Sequence, residues 1–436
     1  MRFALVACTV ACSGSSKPAP VADLDLGTLG GTHAQPDAAV AVAPSAPPTA
    51  PTRDASAPPP ASRGRDFTAD AQVLYRVAAC GGPDEGRVAE LTGGDPERLA
   101  KLVARHCKNL RERMATFRAA YLERHRSWFE AVVPKDIPST VIYPFGGGDL
   151  MSALVVFPDA TEITTISLEL AGDPRRLRAL SPAALESSLA ALRVEIGGLL
   201  SVGSNTSHNL SSAQRNELPA QVSSFLIALV TAGFEPVDMR YFTLDDGGAI
   251  HYLDDAEIDA LDTKRSGALK GDWHSPSFSP AFANVEIRYR RPGSDQIRVH
   301  RHLGWNLGDD YLATHPQLVR HLAAKGKVAI LTKGGSYLLH RASFSTIRSY
   351  MLEHLAWMLS DSTGIPPTYA EPAGMVQETY GTYTGAFLEG SRETRQDDSF
   401  VALWKRQPRR RLPFRFGYLD ATGNAHLVVT RRKPVP

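Results

Sequence analysis

The stretch from Ser139 to Gly172, STVIYPFGGGDLMSALVVFPDATEITTISLELAG, constrains the fold more than any other part of the chain. It begins with Thr140–Tyr143, a β-branched and aromatic run that is typical of a buried strand. A proline and three glycines follow, and Asp149 is a good N-cap for a helix over Leu150–Phe157. Thr161–Leu170 then predicts a second strand. Short links between strand, helix and strand predict a right-handed βαβ unit and a parallel sheet.

The glycine turn of this unit is the first candidate site. A glycine turn at a helix N-terminus is a natural place for an anion or a nucleotide. Glu169 follows Asp149 by 20 residues, roughly where nucleotide-binding units place an acid against the ribose hydroxyls. The ligand-binding candidates are therefore Gly146, Gly147, Gly148, Asp149 and Glu169. However, there is no G-x-G-x-x-G, and Asp149 would repel a phosphate. A tight turn that brings helix and sheet together explains the glycines more simply, and we favour it.

The rest of the chain predicts an α/β fold around this unit. Residues 134–436 predict a Rossmann-like (methyltransferase-like) sheet with helices on both faces and antiparallel hairpin additions. Residues 67–133 predict a preceding helical segment, in which Pro96 opens a long helix with apolar residues on one face. Residues 13–66 contain no aromatic residue and are dense in Ala, Pro, Ser and Thr. They predict a disordered Pro/Ala-rich linker, because they cannot bury enough apolar surface to fold.

The N-terminus predicts export. The run Phe3–Ala11 has nine residues, the length of a signal-peptide apolar region, and is too short to span a bilayer. Thr9–Gly14 resembles the lipidation box of bacterial lipoproteins, in which Cys12 would become the lipidated first residue. Cys8 also fits such a box, but too few apolar residues precede it. We therefore expect a signal peptide over residues 1–12 and a lipid anchor in the bacterial cell envelope (periplasm or outer membrane). Ordinary cleavage, or a cytosolic chain with an apolar start, are the alternatives.

Cysteine usage agrees with export. Cys80 and Cys107 remain after the predicted signal peptide, and two cysteines in an oxidising compartment suggest one disulfide. Closing this loop would contribute roughly 3 kcal/mol. Two buried thiols are the alternative. A metal site would need more ligands than these cysteines and His106 offer, so we predict no metal.

Two more loops are candidate sites. The segment Thr332–Tyr337 directly follows a predicted apolar strand, and ligands bind where strands of an α/β sheet end. Lys333 offers a cation, Ser336 a hydroxyl and Tyr337 a flat ring. Asp361 lies in the third loop, a polar segment that is closed by two prolines.

Four further expectations concern local structure. His300 and His302 are two apart on a predicted strand and share a face. They could supply half of a metal site, but we expect them to face solvent. A helix is predicted from Ser345, or from Ser343, through Leu359, with the serine as its cap. Residues 254–280 are expected to be an irregular surface insertion, and 378–383 an aromatic turn.

Several motifs resemble an uncharacterised family of exported bacterial proteins and lipoproteins. They are TVIYPFGGGDLMSALVVFPDATEITTISLELAG, ILTKGGSYLLHRASFSTIRSYMLEHLAWMLSDSTGIP and ETYGTY. The family carries Y-P-F-x-G-x-D, Y-L-L-H and D-S-x-G-I-P type motifs, and the similarity would cover most of residues 135–420. The chain departs from the pattern at Gly147, Gly148 and residues 360–363. No activity is known for the family, so the resemblance supports the fold and export and implies no reaction.

Three hypotheses for the function follow. No G-x-S-x-G, H-E-x-x-H or P-loop appears in the sequence. The first hypothesis is a membrane-anchored binding or scaffolding protein with a degenerate nucleotide-binding-type fold. The second is an envelope hydrolase or transferase, in which Asp149, Glu169, Lys333 and Asp361 converge at the strand ends. The third is a methyltransferase-like enzyme, which requires a chain that is not exported, because nucleotide cofactors are made in the cytosol.

Partners are predicted from the same features. We expect contact with the membrane through the N-terminal lipid, and a protein or another envelope component is a further possible partner. The formal net charge of +2 argues against a dedicated nucleic-acid binder, which would carry a strong basic excess. The sequence identifies no cofactor.

Overall fold

A computed structural model describes residues 64–83, 87–200, 218–263, 279–361, 364–383, 398–414, 416 and 426–433. The predicted signal peptide, Cys12 and nearly all of the predicted linker lie outside these residues. The chain divides into Met1–Pro60 and Ala61–Pro436, and the description below concerns the second unit. Within the described residues, no helix combines the length and apolarity needed to cross a bilayer.

One mixed sheet of ten strands organises this unit. The strands are β1 (Thr140–Pro144), β2 (Glu162–Ser167), β3 (Glu235–Leu244), β4 (Ile250–Tyr252), β5 (Asn284–Arg290), β6 (Arg298–Gly304), β7 (Val328–Thr332), β8 (Leu355–Ser360), β9 (Met375–Gly381) and β10 (His426–Arg432). Their spatial order is β4-β3-β5-β6-β2-β1-β7-β8-β10-β9. The central strands from β6 to β8 are parallel, and antiparallel strands extend the sheet on both sides. The predicted α/β class is confirmed.

The helices lie before, between and after these strands. They are α1 (Thr68–Val77), α2 (Pro96–Phe117), α3 (Glu123–Val132), α4 (Leu150–Val156), α5 (Pro182–Leu200), α6 (Ala220–Ala232), α7 (Asp255–Asp262), α8 (Asp309–Thr314), α9 (Gln317–Ala323), α10 (Ser345–His354), α11 (Pro367–Ala370) and α12 (Asp398–Arg406). A π-helical turn, Arg118–Leu122, joins α2 to α3. Short 3-10 turns cover Pro174–Ala179, Pro280–Phe282, Gly335–His340 and Ala342–Phe344.

The predicted βαβ unit is present. β1 and β2 pair in parallel, with Tyr143 opposite Thr165, and α4 connects them. The Asp149 carboxylate accepts a hydrogen bond from the Ser152 N–H at 3.1 Å, so Asp149 is the N-cap of α4. The second strand is shorter than predicted, and Glu169 lies in the loop that follows it.

Apolar side chains fill both faces of the sheet. Side chains alternate along a strand, so Val141 and Tyr143 join one core cluster and Ile142 joins the other. The first cluster contains apolar side chains of α1 to α6, including Phe129 of α3. The second cluster contains side chains of α8, α9 and α10, including Ile347. The N-terminal helices therefore share one core with the strands.

The predicted long helix from Ser345 to Leu359 is wrong. It ends at His354, and Leu355–Ser360 forms strand β8, which pairs in parallel with β7. A fully buried parallel strand is a continuous apolar run, which periodicity alone cannot distinguish from a buried helix. The predicted serine cap is also wrong, because the Asp309 carboxylate accepts the N–H groups of Ser345 at 3.0 Å and Thr346 at 2.9 Å.

Three other local expectations are wrong. His300 and His302 are fully buried, because Phe225 of α6 packs against both rings on this face of the sheet. The expected aromatic turn at 378–383 is instead strand β9 through Gly381. The segment after Leu253 starts with helix α7, whose capping box joins Asp254 and Glu257. Much of the remaining expected insertion, residues 264–278, lies outside the described residues.

Candidate functional site

Three of the candidate loops meet at one edge of the sheet. The loops after β1, β7 and β8 carry Asp149, Lys333 and Asp361, and these strands are neighbours in the sheet. The C-terminal ends of parallel strands lie at the same edge, where α/β proteins bind their ligands. We call Tyr143, Asp149, Ser152 and Lys333 the strand-edge cluster.

An ion pair forms the centre of the strand-edge cluster. The Lys333 Nζ lies 2.8 Å from the Asp149 Oδ2, and the two side chains are only 12% and 6% exposed. Lys333 also donates to the Ser152 Oγ at 3.0 Å. The Tyr143 hydroxyl donates to the Asp149 Oδ2 at 3.1 Å. Asp149 therefore caps α4, accepts a hydrogen bond from the Tyr143 hydroxyl and neutralises Lys333 at the same time.

Aromatic rings surround this pair. The Lys333 Nζ lies 5.3 Å from the centre of the Phe416 ring, within the range of a cation–π contact. Burial raises the pKa of Tyr143 well above its usual value, and the Asp149 carboxylate raises it further. The pKa of Tyr121 is raised by the same two causes. Both hydroxyls therefore stay protonated, and Tyr143 remains a donor to Asp149.

Little space is left beside the pair. A cavity of about 20 Å³ lies against the strand-edge cluster and is also lined by Tyr121, Ile196 and Phe416. This volume holds about one water molecule, whereas pockets for organic ligands measure about 300–1,000 Å³. The cluster therefore faces a space that is too small for an organic substrate.

Asp361 forms a separate buried group with the loop after β7. Its Oδ2 accepts the N–H of Gly334 at 2.8 Å, and its Oδ1 accepts the hydroxyl of Ser336. Its own N–H donates to the carbonyl of Thr332 at 3.1 Å. The Asp361 and Ser336 side chains are fully buried. The Asp361 carboxylate therefore joins the loop after β8 to the loop after β7.

The glycine turn packs against its neighbours. The N–H of Gly146 donates to a carbonyl of β2 at 3.0 Å, and a Cβ at this position would lie 2.7 Å from the ring of Tyr143. Gly147 has a φ of 50°, which favours glycine. The carbonyl of Gly148 accepts the Ser224 hydroxyl of α6 at 2.8 Å. These contacts account for small residues at the turn without a ligand.

Glu169 and Tyr337 lie apart from the ion pair. Glu169 follows β2, and its side chain is 2% exposed. Within the described part of the chain, its Oε1 has no hydrogen-bond partner. Tyr337 lies half-buried on the turn Gly335–His340, and burial raises its pKa.

A chain of hydrogen bonds holds the two buried histidines. The Thr165 Oγ1 lies 3.0 Å from the His300 Nε2 and 3.0 Å from the His302 Nδ1. The His302 Nε2 lies 2.7 Å from the carbonyl of Glu169. Burial lowers the pKa of His302 to about 4 and that of His300 well below its usual value. Both rings are neutral, so His302 donates to the carbonyl, Thr165 donates to His302, and His300 donates to Thr165.

The predicted disulfide is present between Cys80 and Cys107, with an S–S distance of 2.02 Å. With His106 the cysteines form a group whose ligand atoms lie within 4.8 Å of one another. The His106 Nε2 lies 2.9 Å from the carbonyl of Ala78, and Arg193 donates to its Nδ1 at 2.9 Å. Burial lowers the pKa of His106 to about 4, so the neutral ring uses both nitrogens. These contacts leave this group no free ligand atom in the oxidised protein.

Sequence reasoning missed several residues of the strand-edge cluster and its cavity. Ser152 stands three residues after the cap, where its N–H meets the Asp149 carboxylate, so a local signal existed. The sequence predicts Tyr143 only as a strand residue. Tyr121 and Phe416 reach the cavity from distant parts of the chain, and no local pattern predicts such a contact.

The comparisons with known proteins give no relative. No family model matches the chain, and no match was found among curated proteins or solved structures.

Proposed function

We propose that the protein is an exported, lipid-anchored binding or scaffolding protein of the bacterial cell envelope. Its core is a Rossmann-like fold whose nucleotide-type site is degenerate. The geometry of the strand-edge cluster supports a binding or scaffolding role over a catalytic one. Asp149 and Lys333 neutralise each other at 2.8 Å beside a cavity of about 20 Å³, at the edge where an enzyme of this fold would bind its ligand.

The strand order supports the Rossmann-like assignment. In chain order the five parallel strands are β1, β2, β6, β7 and β8, and in space they lie as third, second, first, fourth and fifth. This is the order 3-2-1-4-5 of a Rossmann sheet, with the reversal of strand order beside β1. Strand β10 lies antiparallel between β8 and β9, which agrees with the methyltransferase-like variant of that sheet.

The disulfide supports export. Disulfides form and persist in oxidising compartments and are rare in the cytosol, and Cys80 is bonded to Cys107. Together with the lipidation box that ends at Cys12, this favours the cell envelope.

Metabolic labelling tests the anchoring. Bacteria that express the full chain are grown with an alkyne analogue of palmitate, and the protein is then separated with the membrane or the soluble fraction. We expect labelled protein in the membrane, a Cys12→Ala variant without label, and a Cys8→Ala variant that keeps it. An unlabelled wild-type chain in the soluble cytosolic fraction would contradict the proposal.

The buried Glu169 favours a second candidate function, a nucleoside-binding enzyme of the methyltransferase-like class. Glu169 follows β2, where such folds place an acid on the ribose, and its Oε1 has no partner within the described residues. This function requires a chain that stays in the cytosol. Calorimetric titration of the full chain with S-adenosylhomocysteine tests it, because binding that a Glu169→Gln variant loses would favour this candidate over the first.

A further inference from the structure

An open groove lies between α2 and the C-terminal half of α5. Its volume is about 670 Å³, and its lining includes Asn109, Arg113, Thr116, Tyr121 and Arg193. We call it the arginine groove. Its volume is that of a pocket for a small organic ligand.

Two arginine side chains line the arginine groove. Arg113 projects from α2 and donates to the main-chain carbonyl of Arg193 on α5 at 3.3 Å. Among the described residues, neither guanidinium has a carboxylate within 4.0 Å. The nearby Arg105 is paired with Glu186. Glu112 supplies one negative charge to the lining, so the groove retains a positive excess.

The positive charges of Arg105 and Arg113 act on Arg193. Burial lowers the pKa of Arg193, the charges of Arg105 and Arg113 lower it further, and the Glu186 carboxylate offsets part of this. An anion bound between the guanidiniums would relieve this repulsion. Like charges held close together are otherwise destabilising.

A hydrogen bond to a buried histidine also fixes the Arg193 side chain. Its Nη1 donates to the His106 Nδ1 at 2.9 Å, and His106 is 1% exposed and fixed by the carbonyl of Ala78. Cys107, the next residue, is anchored by its disulfide to Cys80. A guanidinium has five N–H donors in a rigid fork, so this contact leaves donors for an oxyanion.

Two aromatic side chains line one side of the groove. Phe117 and Tyr121 stack with their ring centres 4.8 Å apart. The same two residues line the small cavity beside Lys333, so they form the wall between the cavity and the groove. A ligand with a flat or apolar part beside its anionic group would therefore find a surface for each part.

We propose that the arginine groove binds a small ligand through a phosphate group held between Arg113 and Arg193. Two guanidinium forks match the geometry of a phosphate, which they bind with paired hydrogen bonds. The phosphate belongs either to a free phosphomonoester or to a lipid headgroup, and the recognition chemistry is the same. This inference deepens the proposed binding role by naming the ligand class.

The test is a calorimetric titration of the full chain with inorganic phosphate. The chain carries Cys8→Ala and Cys12→Ala, so that no lipid is attached. We expect saturable binding that weakens about tenfold or more in Arg113→Ala, which loses charge-assisted hydrogen bonds. Arg113 is exposed, so its removal should leave the fold intact. Arg124→Ala, an exposed arginine outside the groove lining, is the matched control and should bind like the parent chain. Absent binding, or equal losses in both variants, would overturn the proposal.

Vesicles distinguish the two sources of phosphate. The same unlipidated chain is sedimented with phosphatidylglycerol vesicles and with neutral phosphatidylcholine vesicles. Binding to the anionic vesicles that Arg113→Ala abolishes and inorganic phosphate competes away would assign a lipid headgroup. Phosphate binding without such vesicle binding would assign a free phosphomonoester. A failed phosphate titration leaves the palmitate-labelling result untouched, so the two proposals fail separately.

Discussion

Replacing Lys333 by methionine removes the cation that neutralises Asp149 and keeps an apolar side chain of similar length. The Asp149 side chain is 6% exposed, so the carboxylate would remain buried without its counter-charge. Breaking a buried pair in this way costs about 3–5 kcal/mol. The Tyr143 hydroxyl and the Ser152 N–H still donate to the carboxylate. We therefore expect the lower end of that range, about 3 kcal/mol.

This loss can be converted into a melting temperature. The folded unit spans Ala61–Pro436, and unfolding entropy is about 2.1 cal/mol/K per residue. A loss of about 3 kcal/mol then lowers the Tm by about 4 °C. Urea unfolding followed by circular dichroism gives the free energy of unfolding directly. Lys405→Met, at an exposed lysine of α12, is the control and should change it by less than about 0.5 kcal/mol.

A double-mutant cycle decides whether the two charges are coupled. Asp149→Asn keeps the shape of the cap and removes the negative charge, and Asn is as good an N-cap as Asp. The variant with both Asp149→Asn and Lys333→Met has no unpaired buried charge. It should therefore be more stable than the sum of the single changes predicts, by about 2 kcal/mol. Additive effects within about 0.5 kcal/mol would refute the buried ion pair.

Two further predictions concern the buried histidines and the disulfide. Among the described histidines, His106, His302 and His321 have a folded pKa of about 4. The unfolded chain, with a histidine pKa near 6.5, takes up these protons first. The neutral histidines therefore contribute their full stabilisation above about pH 6.5, and this contribution is lost as the pH falls toward 4. Between pH 7.5 and 5.5 the free energy of unfolding should fall by about 1.3 kcal/mol per histidine. Urea midpoints across this range measure the loss, and a flat profile would contradict it. Replacing both Cys80 and Cys107 by serine should cost about 3–4 kcal/mol. The reduced wild-type protein should have the same melting temperature as this variant. Equal melting temperatures of the variant and the oxidised wild type would refute the prediction.

Local chemistry was enough to predict the βαβ unit. The β-branched run before the glycines, the N-cap at Asp149 and the helix of α4 all follow from short-range preferences. The rule that ligand loops follow parallel strands also predicted that Asp149, Lys333 and Asp361 would share one edge. Glu169 shares the edge but follows β2, on the other side of β1 from Lys333 and Asp361.

Long-range pairing explains what the sequence could not reveal. The run from Leu355 to Ser360 continues the apolar pattern of α10, and only its pairing with β7 makes it a strand. The spacing of His300 and His302 predicts a shared face, but the packing of Phe225 of α6 against both rings decides that this face is buried. Partner strands are chosen by contacts that lie far apart in the chain, and periodicity does not contain them.

The π-helical turn at Arg118–Leu122 has a consequence for insertions and deletions. A π-turn contains one residue more than the α-helical turn that it replaces. Removing one residue there, for example the exposed Ala119, would convert the π-turn into an ordinary α-helical turn and keep the faces of α3 in place. The same deletion within the regular part of α3 before Phe129 would rotate the rest of that helix by about 100°, and Phe129, which is 1% exposed, would turn out of the core. Related sequences should therefore tolerate the loss of one residue at this turn, whereas a loss within α3 would have to be compensated by a second change in the same helix.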